Sequence, residues 1–207
     1  LSETTPTRRG FFSAQTQFPE QLRDAGYSLE ERPFDGKISL RGRPTDKTFL
    51  KAAGKILGAD LPTTPNTTAH TKDLMIFWQR PDAWLIVCAE GTEDRLLEQL
   101  NAGLEGTHFL ATNLTDNYTV LRLSGANVRD VLKSGAFVDS NPEAFPAGAY
   151  TQTTFAEVDV LIYAVPTGKK ESKTDIFDIY LRRSFAEYVW RWLEKTCLLA
   201  VKENPNL

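Results

Sequence analysis

The chain has 207 residues, of which 41% are hydrophobic and 25% charged, and it includes twelve Phe and four Trp. This composition allows one large core or two smaller halves that share a core. A formal net charge of −3 argues against a nucleic acid as the main partner, because nucleic-acid-binding domains usually carry a basic excess. No apolar run is long enough to cross a bilayer, and residues 1–10 lack the apolar block of a secretion signal. We therefore expect a cytoplasmic protein with no nucleic-acid or membrane partner.

The first half of the chain alternates between strand and helix patterns. Stretches with alternating polar and apolar residues predict strands, and apolar residues that recur at i, i+4 and i+7 predict helices with one buried face. Turn sequences such as Asp35-Gly36 separate these patterns. The predicted elements are strands at 27–34 and 38–43, a helix at 45–57, a hairpin of strands 74–79 and 83–89, and a helix that follows Thr92.

The second half shows the same kinds of pattern after a short connection. Its two loops, at 141–148 and 167–174, are polar or rich in proline and glycine, and they supply no periodicity. The predicted elements are strands at 109–114 and 119–123, a helix at 126–134, a hairpin of strands 151–157 and 160–165, a strand at 176–181 and a helix at 184–199.

The series of patterns therefore occurs twice. A strand that ends at Gly42 and leads into an amphipathic helix has a counterpart that ends at Gly125, and the later copy contains about ten extra residues. This repetition predicts an α/β (α+β) fold with duplicated, ferredoxin-like β-α-β-β-α-β halves. We place the duplicated domain at residues 19–200, its halves at about 27–115 and 116–200, an N-terminal arm at 1–18 and a tail at 201–207.

The N-terminal arm contains three phenylalanines, Phe11, Phe12 and Phe18, in a segment without periodicity. An exposed phenylalanine is unfavourable, since burial of its ring is worth about 1.5–3 kcal/mol. The arm is therefore either a frayed terminus or a segment whose phenylalanines contact another chain.

The last predicted helix carries a further aromatic residue of interest, Trp190. The helical wheel predicts a buried face formed by Phe185, Tyr188, Val189, Trp192 and Thr196, and it places Trp190 outside this face. Tryptophan is enriched at protein interfaces, so Trp190 is a candidate subunit contact together with the arm phenylalanines. The alternative is that Trp190 lies at the rim of the core.

The sequence shows no catalytic or cofactor-binding motif. His70 and His108 are remote from any nucleophile motif, and their spacing from Cys88 and Cys197 does not match a metal site. No Gly-x-Gly or P-loop sequence is present. The two cysteines are predicted to be reduced residues of the core, with a disulfide as the alternative. We therefore predict that the chain has no catalytic, cofactor-binding or metal-binding residues. We expect it to act as an interaction module.

Five blocks between about residues 45 and 195 carry a resemblance to a known family. They are Leu61-Pro-Thr-Thr-Pro-Asn-Thr67, Arg80-Pro-Asp-Ala-Trp-Leu85, Leu121-Arg-Leu-Ser-Gly-Ala-Asn-Val-Arg-Asp-Val-Leu132, Phe145-Pro-Ala-Gly-Ala-Tyr-Thr-Gln-Thr153 and Arg183-Ser-Phe-Ala-Glu-Tyr-Val-Trp190. In this order they resemble the gamma-subunit family of heterotetrameric sarcosine oxidase. The N-terminal arm shows the least similarity.

The resemblance implies an aminomethyltransferase-like fold and the role of a non-catalytic subunit in an oxidoreductase. Such a complex demethylates sarcosine to glycine, passes the one-carbon unit to tetrahydrofolate and forms peroxide. The resemblance also implies that the alpha, beta and delta subunits hold FAD, FMN, NAD, tetrahydrofolate and zinc, and that this chain contacts alpha directly and binds no cofactor itself.

The sequence departs from the family pattern at Asn113, where related chains often carry an acidic residue. An asparagine does not supply the charge with which a carboxylate could hold a folate ring, so we expect no folate binding by this chain. Two alternatives stay open at this point. The chain could be a free-standing folate-dependent aminomethyltransferase-like protein, or the equivalent subunit of a related N-methyl amino acid dehydrogenase.

Overall fold

The computed structural model describes residues 10–12, 18–32, 34–167 and 174–203, which form ten strands and five α-helices. The strands are β1 (Ser28–Glu31), β2 (Gly36–Gly42), β3 (Thr68–His70), β4 (Leu74–Arg80), β5 (Ala83–Cys88), β6 (Phe109–Asn113), β7 (Tyr118–Gly125), β8 (Tyr150–Phe155), β9 (Val158–Ala164) and β10 (Asp175–Arg182). The helices are α1 (Glu20–Asp24), α2 (Lys47–Leu57), α3 (Glu93–Gly103), α4 (Val128–Gly135) and α5 (Ala186–Glu203).

The strands form two antiparallel five-stranded sheets with equivalent orders. The first sheet has the order β3-β4-β5-β2-β6, and the second has the order β8-β9-β10-β7-β1. The chain order β-β-α-β-β-β-α also occurs twice, from β1 to α3 and from β6 to α5. Duplication of the fold is therefore visible in the connectivity as well as in the sequence.

The two copies exchange their first strands. β1 begins the first copy but pairs with β7 of the second sheet, from Ser28 opposite Ser124 to Glu31 opposite Leu121. β6 begins the second copy but pairs with β2 of the first sheet. β1, which lies within the predicted first half of the chain, is thus an edge strand of the second sheet.

The sheets stack face to face, and the helices cover their outer faces. α2 and α3 close one apolar cluster with the first sheet, around Phe49, Trp84 and Leu100. α4 and α5 close another with the second sheet, around Phe155, Phe177 and Leu193. The layers therefore follow the order helix, sheet, sheet, helix, which is one of the stable ways to bury two one-sided apolar sheets.

Several predicted elements differ in detail from the structure. The short strand β3 and the helix α1 lie in stretches for which no element was predicted, because both are too short to produce a clear period. The predicted strands 151–157 and 160–165 leave the β8–β9 turn at Val158-Asp159. This position is wrong, because the chain turns at Ala156 and Glu157, which have φ values of 47° and 65°. Non-glycine residues rarely adopt this conformation, so the sequence contains no signal for the turn.

The extra residues of the later copy lie between β9 and β10. Ten residues, 165–174, separate these two strands, and residues 168–173 among them lie outside the described residues. By contrast, only Pro81 and Asp82 separate β4 from β5. The expected insertion of about ten residues is therefore located at one connection, and it leaves the sheet order unchanged.

An aromatic cluster joins the two sheets. The ring of Phe77 on β4 is fully buried and makes edge-to-face contacts with Tyr150, Tyr163 and Tyr180 of the second sheet, with centroid distances of 5.1, 5.5 and 5.5 Å. The Tyr150 hydroxyl donates a hydrogen bond to the backbone carbonyl of Trp78, so this tyrosine also satisfies its polar end across the interface. Burial raises the pKa of Tyr150 and of Tyr180, which keeps both hydroxyls protonated.

We expect Phe77→Ala to lower the free energy of unfolding by about 3–5 kcal/mol, because it removes a fully buried ring and three aromatic contacts. Phe77→Leu keeps most of the buried volume, so it should lower the free energy of unfolding by a distinctly smaller amount. Urea unfolding followed by tyrosine and tryptophan fluorescence measures both changes. A loss below about 1 kcal/mol for Phe77→Ala would show that the sheets do not depend on this contact.

Candidate interaction surface

The N-terminal segment is attached to the second sheet by Glu31, at the end of β1. The Glu31 carboxylate accepts hydrogen bonds from the backbone N–H groups of Phe11 and Phe12, at 3.1 and 3.2 Å, and from the Thr119 hydroxyl at 2.6 Å. A Cβ atom on Gly10 would lie 2.6 Å from a Glu31 carboxylate oxygen, so a side chain at this position would require the Glu31 side chain to shift. Residues 1–9 and 13–17 of the predicted arm, and 204–207 of the predicted tail, lie outside the described residues.

The attached segment covers Trp190. The Phe12 ring lies 4.4 Å from the Trp190 ring, and Phe18 makes an edge-to-face contact with it at 6.3 Å. Phe18 and Trp190 are 3% and 5% exposed, so both belong to the core of this chain. Phe11, which packs on Phe12, is the most exposed of the four proposed contact residues, at 38%. Whether any of these residues contacts another chain stays a prediction.

The helical-wheel prediction for α5 is wrong in part: Val189 is buried as predicted, but the buried face is rotated relative to the predicted one. The face buried against the sheet contains Trp190, whereas Phe185 and Tyr188 of the predicted buried face are 45% and 49% exposed. The reason is that the helix has two adjacent apolar stripes, and the wheel alone does not show which stripe faces the sheet. The buried stripe consists of Ala186, Val189, Trp190, Leu193 and Cys197.

The second apolar stripe of α5 forms an exposed aromatic surface. Phe185 and Tyr188 lie at its N-terminal end, where Arg182 stacks over the Tyr118 ring at 5.9 Å. Trp192 continues the stripe and contacts Phe155 at 5.0 Å, and the half-exposed Leu199 extends it. Exposed aromatic residues on a rigid helix are typical of protein interfaces, where they add contact area at a low entropic cost.

Two clefts lie beside the helix pairs. A cleft of about 600 Å³ lies between α4 and α5, and its charged lining residues are Asp130 and Lys195. A cleft of about 610 Å³ lies between the end of α2 and the start of α3, and its charged lining residues are Lys55, Lys72, Asp73 and Arg95. The two clefts are similar in size and differ in charge.

Two partly buried arginines form ion pairs within the fold. Arg122 and Asp178 form a bidentate ion pair between β7 and β10, with both N–O distances at 2.7 Å, and the hydrogen bonds that Arg122 donates to Asp178 raise the pKa of Arg122. Arg129 of α4 pairs in the same way with Asp175, at 2.7 and 2.8 Å. Such pairs fix the positions of strands and helices, and their charges are already satisfied.

Both cysteines are buried, and both histidines are exposed. Cys88 and Cys197 are buried free thiols in different apolar clusters, as predicted. Burial raises the pKa of Cys88 and raises that of Cys197 to about 12, so both thiols stay protonated at neutral pH. His70 and His108 are exposed and lie at separate strand ends. In the described part of the chain, no three His, Cys, Asp or Glu side chains come together to hold a metal ion.

Asn113 has a structural role. Its side-chain amide donates a hydrogen bond to Asp94 of α3 at 2.9 Å, and its side-chain carbonyl accepts one from the backbone N–H of Thr115 at 2.9 Å. The Thr115 hydroxyl in turn accepts a hydrogen bond from the backbone N–H of Lys37 on β2 at 3.0 Å. Asn113 therefore connects α3, β6 and β2, and both ends of its amide are used. The family resemblance indicated that Asn113 is unusual at this position, but it did not indicate the hydrogen-bond partners of the side chain.

None of the described helices has the length and apolar character needed to span a membrane.

The duplicated layers of helix, sheet, sheet and helix define an aminomethyltransferase-like α/β fold. The glycine cleavage system aminomethyltransferase T of Bartonella henselae matches 81% of this chain with a TM-score of 0.60 and 15% identity, over 45% of its own length. This likeness shows a shared fold.

A narrower assignment comes from the sequence. The family model of the sarcosine oxidase gamma subunit matches residues 41–198, and the chain belongs to this family. It is 29% identical to sarcosine oxidase subunit gamma of Corynebacterium sp. (strain P-1), over 93% of this chain and 91% of the relative. The corresponding subunit of Arthrobacter sp. is 28% identical over the same shares. The heterotetrameric sarcosine oxidase structure from Corynebacterium sp. U-96, in complex with pyrrole 2-carboxylate, matches 83% of both chains with a TM-score of 0.73 and 24% identity.

Because Trp190 is buried within this chain, we expect Trp190→Ala to lower the free energy of unfolding of the isolated chain by about 3–5 kcal/mol. Tyr188→Ala is the matched control on the same helix, and its half-exposed side chain should contribute less than about 0.5 kcal/mol. Urea unfolding of both variants provides the comparison. Similar stability of the two variants would show that Trp190 does not belong to the core of the free chain.

A second test concerns Asn113. Asn113→Asp removes the donor to Asp94 and places two carboxylates together, so it should destabilise the chain by about 1–2 kcal/mol at neutral pH. The double variant Asp94→Asn with Asn113→Asp restores a donor and an acceptor and should recover most of the loss. Equal stability of Asn113→Asp and wild type in urea unfolding at neutral pH would contradict this role.

Proposed function

We propose that this chain is the gamma subunit of a heterotetrameric sarcosine oxidase and that it contributes to the complex by assembly. The observation that carries this proposal is the similarity to gamma subunits over nearly the whole of both chains. Family membership over residues 41–198 supports it. The complex would demethylate sarcosine to glycine in the cytoplasm, pass the one-carbon unit to tetrahydrofolate and produce peroxide.

The cofactors of such a complex are proposed to lie in its other subunits. FAD, FMN, NAD, tetrahydrofolate and zinc would be held by alpha, beta and delta, and this chain would hold none of them. The side chains described above support this division of labour, since the ion-paired arginines and Asn113 are engaged within the fold. The two thiols are buried and protonated, which disfavours a covalent or metal-binding role.

The alpha subunit is the proposed direct partner, and the aromatic surface of α5 is the part of the chain best suited to contact it. Tyr188 is held by a helix whose adjacent stripe is fixed in the core, and Phe185 lies in the short 3-10 turn directly before this helix. Phe11 is similarly fixed by the hydrogen bonds of its segment to Glu31. Rigid side chains lose little entropy on binding, which favours such residues as interface anchors.

Co-expression with the alpha, beta and delta subunits, with an affinity tag on alpha, tests the assignment. We expect this chain to co-purify in stoichiometric amount with a yellow complex that produces peroxide from sarcosine. The isolated chain should be colourless and free of zinc after washing. Failure to co-purify, or stoichiometric flavin or zinc in the isolated chain, would contradict the proposal.

Two further measurements on the purified samples separate the two alternatives. Binding of tetrahydrofolate to the isolated chain, measured by calorimetry, would favour the free-standing aminomethyltransferase-like protein. A yellow complex that oxidises a different N-methyl amino acid without forming peroxide would favour the related dehydrogenase.

A further inference from the structure

The cleft between α2 and α3 carries a concentration of positive charge. Lys55 from the last turn of α2, Lys72 from the β3–β4 turn and Arg95 from the first turn of α3 line its rim, and all three are exposed. Asp73 is the one acidic residue in its lining. The chain as a whole has a net charge of −3, so this local excess of cations opposes the overall balance.

These cations form no ion pair within the described part of the chain. The arginines that stabilise the fold have carboxylate partners, as in the pairs Arg41–Asp82 and Arg122–Asp178. Around the cleft, Glu93 is buried and Asp94 accepts its hydrogen bond from Asn113, so these acids of α3 are directed elsewhere. The rim is therefore available for an acidic group from outside.

Arg95 is placed against the preference of its own helix. It is the third residue of α3, where the helix dipole favours acidic side chains and disfavours a cation. Helix stability thus gives no reason for an arginine at this position. Lys55 differs, because a cation in the last turn of α2 is favoured by the dipole of that helix.

The lower part of the cleft is apolar. Ile56 and Leu74 are partly buried there, and Leu57 and Leu96 are 3% and 8% exposed. The turn that carries Lys72 is fixed by the Thr71 hydroxyl, which accepts hydrogen bonds from the backbone N–H groups of Asp73 and Leu74 at 3.3 and 3.1 Å. An apolar floor with a fixed cationic rim suits a peptide segment that has both apolar and acidic side chains.

We propose that the α2–α3 cleft is a docking site for an acidic segment of another subunit of the complex. This inference rests on the proposed function, since it requires a partner chain. Apolar side chains of the segment would lie on Ile56 and Leu74, and its carboxylates would pair with Lys55, Lys72 and Arg95. The α4–α5 cleft has a similar volume but a balanced lining of Asp130 and Lys195, so it offers no such preference for acid.

The test compares a charge reversal in the α2–α3 cleft with a charge reversal on the other helix pair within the co-expressed complex. Lys72→Glu with Arg95→Glu changes the α2–α3 cleft, and Lys133→Glu with Lys195→Glu changes exposed lysines of α4 and α5. Both double variants alter exposed side chains. Glutamate at position 95 suits the dipole of α3, and glutamate at position 133 opposes that of α4 only weakly because the site is exposed, so both variants should remain folded. Retention of each variant on complex captured through tagged alpha is measured at low and at high salt.

We expect Lys72→Glu with Arg95→Glu to weaken retention at low salt by about tenfold or more, because like charges would then face each other across the contact. The control double variant should be retained like wild type. Wild-type retention should also decrease as salt rises, since rim charges are screened.

Equal retention of both double variants would overturn the docking site while leaving the proposed function intact. Loss of wild-type retention under all conditions would instead overturn the proposed function, and the docking site with it. The urea unfolding curve shows whether the cleft variant is folded. If the double variant does not fold, retention of the single variant Lys72→Glu is measured in its place.

Discussion

The contact between the two sheets is the interaction on which the rest of the structure depends. Each sheet has an outer face closed by helices, so the inner faces must be buried against each other for the chain to be stable. Phe77 fills the centre of this contact, and three tyrosine rings from the second sheet surround it. Edge-to-face geometry gives these rings a preferred orientation, so the cluster fixes how the sheets are placed as well as how strongly they adhere.

The placement of the sheets determines which surfaces remain for other proteins. With the inner faces occupied, the exposed parts of the chain are the outer helices, the sheet edges and the ends of the strands. α5 has one stripe in the core and a second stripe beside it, and the N-terminal segment held by Glu31 lies over Trp190. An aromatic surface next to one helix pair and a cationic cleft next to the other follow from the same layered arrangement.

Much of the architecture could be predicted from the sequence, because repeated local patterns report on repeated local structure. The helices at 45–57 and 126–134 and most strands were recognisable from their periods. Short elements such as β3 and the turn at Ala156 and Glu157 gave no such signal. The pairing of β1 with β7 depends on contacts far apart in the chain, which patterns within one strand do not encode.

The surface was harder to predict than the fold. Trp190 was placed outside the buried face because a helix with two apolar stripes is ambiguous until its neighbours are known. The segment that covers it comes from the opposite end of the sequence. Likewise, Asn113 could be noted as unusual, but its bond to Asp94 depends on how α3 packs beside β6.

The exchange of first strands has a consequence for how the protein is made. During synthesis on the ribosome, β1 emerges early but has no partner until β7 has also left the exit tunnel. The first sheet likewise lacks its last strand until β6 is available. The N-terminal half of a nascent chain therefore carries an unpaired strand edge during much of its synthesis, a state that favours chaperone binding. Neither sheet is complete before the chain has been translated past its midpoint, so the two halves mature together.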